Sequence, residues 1–177
     1  MAVVVPLLKK PPSKYMQNYR AISLTSSVCK ILEILIRDSL LDYFSSHDLL
    51  TLSQHGFLPG RFTFAQPLLF SFNWFESFNR NVQTDVVCVD FSKAFDTVFH
   101  SKLILKLEAY GVFGPLLRWL RSYLTGISFV VKVGDSLYNS LPVCSGVLQR
   151  SGLGPLLFLI SINDLPECVV STCEIFC

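Results

Sequence analysis

An apolar run that ends in a carboxylate is the feature that most constrains what this chain can fold into. Val86, Val87, Cys88 and Val89 precede Asp90 directly, and Asp96 follows six positions later. Such a run is typical of a buried strand with neighbours on both sides. An Asp at the C-terminal end of a buried strand is held rigidly, which suits a divalent cation. The sequence therefore predicts a strand over 86–90 that ends in Asp90, and whether this carboxylate has partner carboxylates decides what the chain can do.

Composition favours a folded piece of a larger protein over a membrane or secreted protein. Of the 177 residues, 51% are hydrophobic and 16% charged, and the mean hydropathy is +0.47. No apolar run reaches 18 residues, so no membrane partner is expected. The apolar start precedes Lys9 and Lys10, the reverse of the order in a signal peptide. We therefore expect an intracellular protein that is not secreted.

The six cysteines indicate neither a disulfide framework nor a zinc site. They form no Cys-x-x-Cys pair, and the chain has only three histidines. Cys168, Cys173 and Cys177 cluster, but no histidine lies near them. Buried, reduced thiols are the expectation.

Positive charge is concentrated at the start of the chain. Residues 1–37 carry six basic side chains and one acid, Glu33. A basic segment suits phosphate backbones, although ordinary surface lysines on a solvated loop would give the same pattern.

Hydrophobic spacing predicts helices interleaved with strands, which indicates an α/β or α+β fold. The helix over roughly 27–44 has a Thr-Ser-Ser cluster able to cap it and an apolar face that includes Val28, Ile31, Leu32, Leu35 and Leu40. The other expected elements are a strand at the start, helices over 64–79 and 101–110, helices that begin at Pro115 and Pro155, and a β-hairpin built from 129–133 and the segment after Ser136.

Seven blocks in one order span nearly the whole chain, at 6–10, 18–26, 30–33, 54–57, 90–96, 119–124 and 145–166. In wording and order they resemble the reverse transcriptase domain of LINE-type (non-LTR) retrotransposons. The resemblance implies a right-hand polymerase, with residues 1–84 as the fingers subdomain and 85–177 as a partial palm whose sheet is incomplete. It also implies an RNA template, a DNA primer and deoxynucleotide triphosphates as partners, and two Mg²⁺ ions that assist phosphoryl transfer. The remainder of a larger polyprotein would be missing.

The same resemblance assigns roles to individual residues. Asp90 matches the first of three catalytic aspartates and a ligand of both metals, with the Phe91 carbonyl beside it; an Asp that only caps a turn is the alternative. Phe95 matches the bulky gate against a ribose 2′-hydroxyl, a role compatible with core packing. Gln149 matches a glutamine near the template and the incoming base. Asp96 is expected to be structural, since it falls in the turn after the strand.

Three basic residues are candidates for binding the triphosphate. They are Arg61, in a Gly-rich loop, and Arg20 or Lys9. A guanidinium matches phosphate geometry, but a solvated surface role fits each of them equally.

The sequence departs from the family pattern in the loop that carries Gln149. Leu148 stands where the family has proline, Arg150 where it has glycine, and Gly152 where an apolar residue is usual. Glycine in such a loop permits a positive φ, which a long cationic side chain does not favour. Other departures are Leu58, Phe62 and Pro67, the last at a cost of about 3 kcal/mol if it is interior to its helix.

The largest departure lies at the end of the chain. Residues 174–177 look like the start of the block that, in the family, carries the other two catalytic aspartates. We therefore expect these 177 residues to lack polymerase activity as they stand. The alternatives are a non-catalytic nucleic-acid-binding remnant and a non-functional pseudogene product that aggregates, since uncovered sheet edges and apolar surface promote association.

Overall fold

The computed structural model describes residues 2–60, 65–126 and 128–175. Within these ranges the fold is mixed α/β, as predicted. The helices are α1 (Ser27–Ser46), α2 (Ala65–Asn79), α3 (His100–Ala109), α4 (Gly114–Thr125) and α5 (Gly154–Ile162). The strands are β1 (Ala2–Leu8), β2 (Tyr19–Leu24), β3 (Ser128–Val133), β4 (Ser136–Leu137) and β5 (Leu141–Pro142).

The five strands form one small mixed sheet in the order β2-β1-β3-β4, with β5 also paired to β3. β1 is antiparallel to β2 and parallel to β3, with Val3 opposite Val130. The β3–β4 pair confirms the predicted hairpin. The first strand of the chain is therefore joined to residues more than a hundred positions away.

Helices α2, α3, α4 and α5 confirm the helices predicted over 64–79, over 101–110 and from Pro115 and Pro155. α3 ends before Gly111, which has a φ of +85°, and α4 and α5 each have proline in the first turn. Pro67 is the third residue of α2, where its missing N–H has no helical acceptor to lose, so the expected penalty for an interior proline does not arise. No helix of the described ranges is long and apolar enough to cross a membrane.

α1 confirms its predicted limits but buries a different face from the one predicted. The hydroxyl of Ser26 accepts a hydrogen bond from the Cys29 N–H and caps the helix. Its fully buried side chains are Glu33, Leu40 and Phe44, at i, i+7 and i+11 on one face. The predicted face is therefore wrong except at Leu40, because its other apolar members, Val28, Ile31, Leu32 and Leu35, are exposed.

The main core lies where the second half of α1 meets α3, α4 and α5. α5 is the most apolar of these helices, and six of its nine residues are buried. Fully buried members of this core include Leu40, Phe44, Leu103, Leu107, Leu120, Leu157, Leu159 and Ile160.

The predicted strand over 86–90 is not formed. Residues 82–91 have no regular secondary structure, and Val87 and Val89 are 85% and 75% exposed. A strand needs a neighbour whose N–H and C=O groups complete its hydrogen bonds, and the sheet of the described residues is built from other segments. The apolar run therefore lies on the surface, and Asp90 follows an irregular segment.

The expectation of buried thiols is also wrong for several cysteines. Cys88, Cys144 and Cys168 are exposed, while Cys29 and Cys173 are half-buried, and all five are free thiols. Cys88 is exposed because it belongs to the irregular run 82–91. Cys177 lies outside the described residues.

Candidate active site

Phe91, the residue that follows Asp90, lines a cleft. Asp90 is exposed, and Phe91, which is half-exposed, lines a cavity of about 400 Å³ between the turn at 94–99, α3 and the end of α5. On the cavity wall the Lys106 ammonium donates hydrogen bonds to the Asp164 carboxylate and to the Ser161 carbonyl. The hydrogen bond from Lys106 lowers the pKa of the Asp164 carboxyl below its usual value.

Phe95 lies in a short 3₁₀ turn, Ala94–Thr97, and packs against the core. Its ring stacks on Phe158 of α5, with centroids 4.7 Å apart, and meets the ring of Phe57 edge-on at 6.0 Å. These contacts support the packing role expected from the sequence, and they fix one face of the ring.

The loop at 145–149 is hydrogen-bonded to this turn along its length. The Val147 N–H donates to the Phe95 carbonyl at 2.8 Å, and the Ser145 hydroxyl donates to the Asp96 carbonyl at 3.0 Å. The side-chain amide of Gln149 donates to the Asp96 carboxylate at 3.1 Å. The turn that carries Phe95 and the loop that carries Gln149, two of the predicted site residues, are thus joined although 54 positions separate the two residues.

Gly146 is the point of closest approach between loop and turn. Its N–H donates to the Val98 carbonyl at 2.8 Å, and its carbonyl lies 2.7 Å from Nε2 of the buried His100. Because a carbonyl oxygen only accepts, Nε2 of His100 is the protonated ring nitrogen that donates this hydrogen bond. Its φ is +88°, in the left-handed region that favours glycine. A side chain here would collide with the turn, so this contact requires glycine.

Arg150 has the positive φ that the family pattern indicates for its position. The Ser151 N–H donates to the Leu148 carbonyl, closing a turn in which Arg150 is the third residue, with φ of +64°. That position favours glycine because a side chain in the left-handed region is strained. The loop keeps the glycine conformation although the residue is arginine.

We expect Arg150→Gly to raise the free energy of unfolding by about 1 kcal/mol, because it relieves strain at a positive φ. Urea titration followed by circular dichroism measures the change. Arg118→Gly is the matched control: Arg118 is an exposed arginine inside α4, where glycine should destabilise by about 1 kcal/mol. Equal effects of the two changes would contradict the strain at Arg150.

A buried acid, Glu33, forms a polar cluster behind this loop that the sequence patterns did not reveal. The Glu33 carboxylate accepts hydrogen bonds from the Gly152 N–H at 2.8 Å and the Tyr123 hydroxyl at 3.1 Å. The Tyr123 hydroxyl also contacts the Ser151 hydroxyl at 3.0 Å. Burial, and secondarily the nearby Glu33 carboxylate, hold the pKa of Tyr123 far above its usual value. The burial of Glu33 could have been predicted from its spacing to Leu40 and Phe44, because residues at i, i+7 and i+11 lie on the same face of a helix.

Two of the predicted phosphate-binding residues, Arg20 and Lys9, lie on or next to the β-sheet. Arg20 is exposed on the edge strand β2, where it pairs with Leu7, and Lys9 is exposed just after β1. Arg61 lies outside the described residues.

Metal-ligating side chains do not converge in the part of the chain that the structure describes. No group of three or more His, Cys, Asp or Glu side chains there is arranged to hold an ion. Asp90 is therefore one carboxylate without an assembled ligand set among the described residues.

Comparisons with known proteins identify the family of this chain. Residues 8–177 match the family model of the reverse transcriptase (RNA-dependent DNA polymerase). Two relatives in Drosophila melanogaster are described as probable RNA-directed DNA polymerases, from transposon BS and from transposon X-element. The first is 34% identical over 94% of this chain and the second 29% over 95%. The RNA-directed DNA polymerase from mobile element jockey of the same organism is 30% identical over 84% of this chain.

The chain spans less than a fifth of the length of these relatives, between 16% and 19%. The match nevertheless covers all five helices and four of the five strands in full. This chain belongs to the reverse transcriptase family and is similar to the enzymes of non-LTR retrotransposons.

Proposed function

We propose that this chain is part of an RNA-directed DNA polymerase, acting on a primer paired to an RNA template. The observation that carries the proposal is the hydrogen-bonded contact between the Phe95 turn and the Gln149 loop. It joins the turn that carries the Phe95 ring to the loop that carries the Gln149 side-chain amide, and this turn follows Asp90 closely in the chain. An aromatic ring and a side-chain amide are the groups that a nucleotide site needs for shape selection and for polar contact with a base.

In this proposal residues 1–84 act as fingers and 85–177 as part of the palm. Phe95 gates the ribose 2′-position, and Gln149 contacts the template or the incoming base. Arg20 and Arg61 are the candidate ligands of the triphosphate.

The residues described do not by themselves fit a two-ion centre. Hard divalent ions take six or more oxygen ligands, and a pair of them requires several carboxylates. Asp90, with the Phe91 carbonyl beside it, would supply a small part of that set. Asp90 is also exposed in an irregular segment, whereas a catalytic ligand needs rigid support.

We further propose that the 177 residues alone do not extend a primer. The expected result is no Mg²⁺-dependent incorporation of deoxynucleotides on an RNA template above that of Asp90→Ala, because Asp90 is not held rigidly. A gel-based primer-extension assay measures this, with an intact reverse transcriptase as the positive control. Incorporation by the parent chain that Asp90→Ala abolishes would contradict the proposed inactivity and would identify Asp90 as catalytic.

A second candidate function, nucleic-acid binding without catalysis, is favoured by the distribution of charge. The single acid of residues 1–37, Glu33, is buried, so the charged side chains that this segment exposes to solvent are basic. Lys9, Lys10, Lys14 and Arg20 are all exposed. The surface of this segment is therefore basic, as phosphate binding requires.

Filter binding of an RNA–DNA hybrid at several salt concentrations tests this second function. The affinity is expected to fall steeply with salt, and Lys9→Gln with Lys10→Gln should flatten the slope by about 1 for each phosphate that is no longer neutralised. The control pair, Arg118→Gln with Lys132→Gln, removes the same charge from exposed positions elsewhere. Binding weaker than about 10⁻⁴ M, or equal effects of the two pairs, would contradict binding through the basic segment.

A further inference from the structure

The carboxylate of Glu33 lies inside the protein, and both of its oxygens accept hydrogen bonds from neighbouring groups. Glu33 is 0% exposed. Oε2 accepts from the Gly152 N–H, and Oε1 accepts from the Tyr123 hydroxyl and, at 3.5 Å, from the Cys29 thiol. None of the ion pairs among the described residues involves Glu33. A buried carboxylate without a cation is costly unless hydrogen bonds satisfy it, so these donors are required by its burial.

The donors and acceptors of this cluster can be assigned in only one way. The Ser151 hydroxyl oxygen accepts from the Leu153 and Gly154 N–H groups at 3.1 and 2.9 Å, which uses its lone pairs and leaves its hydrogen to donate. Ser151 therefore donates to the Tyr123 oxygen, and Tyr123 donates to Glu33. Burial, and then the Glu33 charge, raise the pKa of the Cys29 thiol, so it too stays protonated and donates.

This arrangement holds the loop at 145–152 from both ends. Gln149 and Val147 are bound to the Asp96 carboxylate and the Phe95 carbonyl, while Ser151 and Gly152 are bound through Tyr123 and Glu33. Arg150, between the two sets of contacts, has a strained positive φ. Strain of this kind persists only where the surroundings determine the backbone on both sides.

We propose that Glu33 is a positioning residue that sets the conformation of the loop and thereby the direction of the Gln149 side chain. Glu33 does not touch a substrate in this role; it acts through the Gly152 main chain and the Ser151 hydroxyl. The link to catalysis rests on the proposed function, in which Gln149 meets the template or the incoming base. The position of the loop itself does not depend on that function.

Trypsin provides a local probe, because Arg150 is exposed and the bond to be cut lies in the loop. The rate of cleavage after Arg150 is compared by mass spectrometry, early in digestion of the native chain, with that after Arg80, an exposed residue beyond the end of α2. We expect Glu33→Ala to raise the ratio of the two rates at least tenfold, because Gly152 and Tyr123 lose their acceptor. Glu33→Gln keeps a carbonyl acceptor for Gly152 and should raise the ratio by no more than threefold.

Val112→Ala is the matched control for a general loss of stability. Val112 is buried in the core and forms none of the hydrogen bonds of the Glu33 cluster. If it destabilises the protein, cleavage after Arg150 and after Arg80 should rise together, leaving the ratio within twofold of the parent. An unchanged ratio in Glu33→Ala, or an equal rise in Val112→Ala, would overturn the proposal.

Binding of an RNA–DNA hybrid, measured by fluorescence anisotropy, connects the loop to function. Glu33→Ala is expected to weaken binding about fivefold, with recovery to within twofold in Glu33→Gln and no comparable loss in Val112→Ala. A parent chain that does not bind the hybrid, with the trypsin ratio still raised in Glu33→Ala, would refute the proposed function and leave the positioning role intact. Normal hybrid binding by a Glu33→Ala chain whose loop is cleaved faster would overturn the link to Gln149.

Discussion

Replacement of Gly146 by alanine is expected to lower the free energy of unfolding by about 2–5 kcal/mol. Its φ of +88° costs an alanine about 1–2 kcal/mol, and forcing a methyl group into a filled space adds about 1–3 kcal/mol. A Cβ at this position would lie 2.9 Å from the Asp96 Cα, the Asp96 carbonyl and the Phe95 carbonyl. All three are backbone atoms, so no side chain can rotate away to make room. Loop and turn must therefore separate.

Gly134→Ala isolates the contribution of the backbone conformation. Gly134 has a φ of +59° at the tip of the β3–β4 hairpin, and a Cβ there would meet no atom within 4 Å. Its loss should be limited to about 1–2 kcal/mol. Urea denaturation of the two variants measures both losses, and equal values would contradict the close approach of Gly146 to the turn. In Gly146→Ala we also expect faster trypsin cleavage after Arg150, since separation from the turn releases the loop.

Local sequence signals predicted the elements whose ends depend on their own residues. Ser26 caps α1, proline opens α4 and α5, and Gly111 follows α3, because each acts within a few residues of its position. These interactions require no knowledge of the rest of the fold. The helical segments were accordingly predictable to within a few residues.

The errors came where the outcome depends on a distant partner. Val86–Val89 have the composition of a buried strand, but strand formation requires a neighbour, which composition does not supply. In α1 two faces were possible, and the choice depends on where α3, α4 and α5 pack. The face that is buried includes Glu33, and the Tyr123 hydroxyl and the Gly152 N–H offset the cost of burying its carboxylate there.

In the candidate site, too, some residues could be predicted from the sequence and others could not. The resemblance supplied Asp90, Phe95 and Gln149 as candidates. The structure joins the segments of the last two through the Val147 N–H, which donates to the Phe95 carbonyl, and the Gln149 amide, which donates to the Asp96 carboxylate. Gly146 and Glu33 control that contact without belonging to the chemistry. Both lie inside blocks that match the family, but the match assigned neither of them a role. Their roles become visible only in the structure, where Gly146 allows the loop to approach the turn closely and Glu33 is a buried carboxylate that needs hydrogen-bond donors.

Phe44→Ala is expected to lower the free energy of unfolding by about 3–5 kcal/mol, because Phe44 is 0% exposed and its removal leaves a cavity in the main core. Its ring packs edge-on against Tyr110, with centroids 5.3 Å apart. If this loss exceeds what the chain tolerates, Phe44→Leu should retain the fold at a cost of about 1 kcal/mol.

Ile31→Ala on the same helix is the matched comparison, since Ile31 belongs to the face that the sequence predicted to be buried. Ile31 is 59% exposed, so its replacement should change the free energy of unfolding by less than about 0.5 kcal/mol. The higher helix propensity of alanine adds a small stabilising effect. Urea denaturation of the 177-residue chain compares both variants under one condition. A loss at Ile31 as large as that at Phe44 would mean that α1 buries its apolar face in solution. Glu33 would then be turned away from Tyr123 and Gly152, and its role in positioning the Gln149 loop would be excluded.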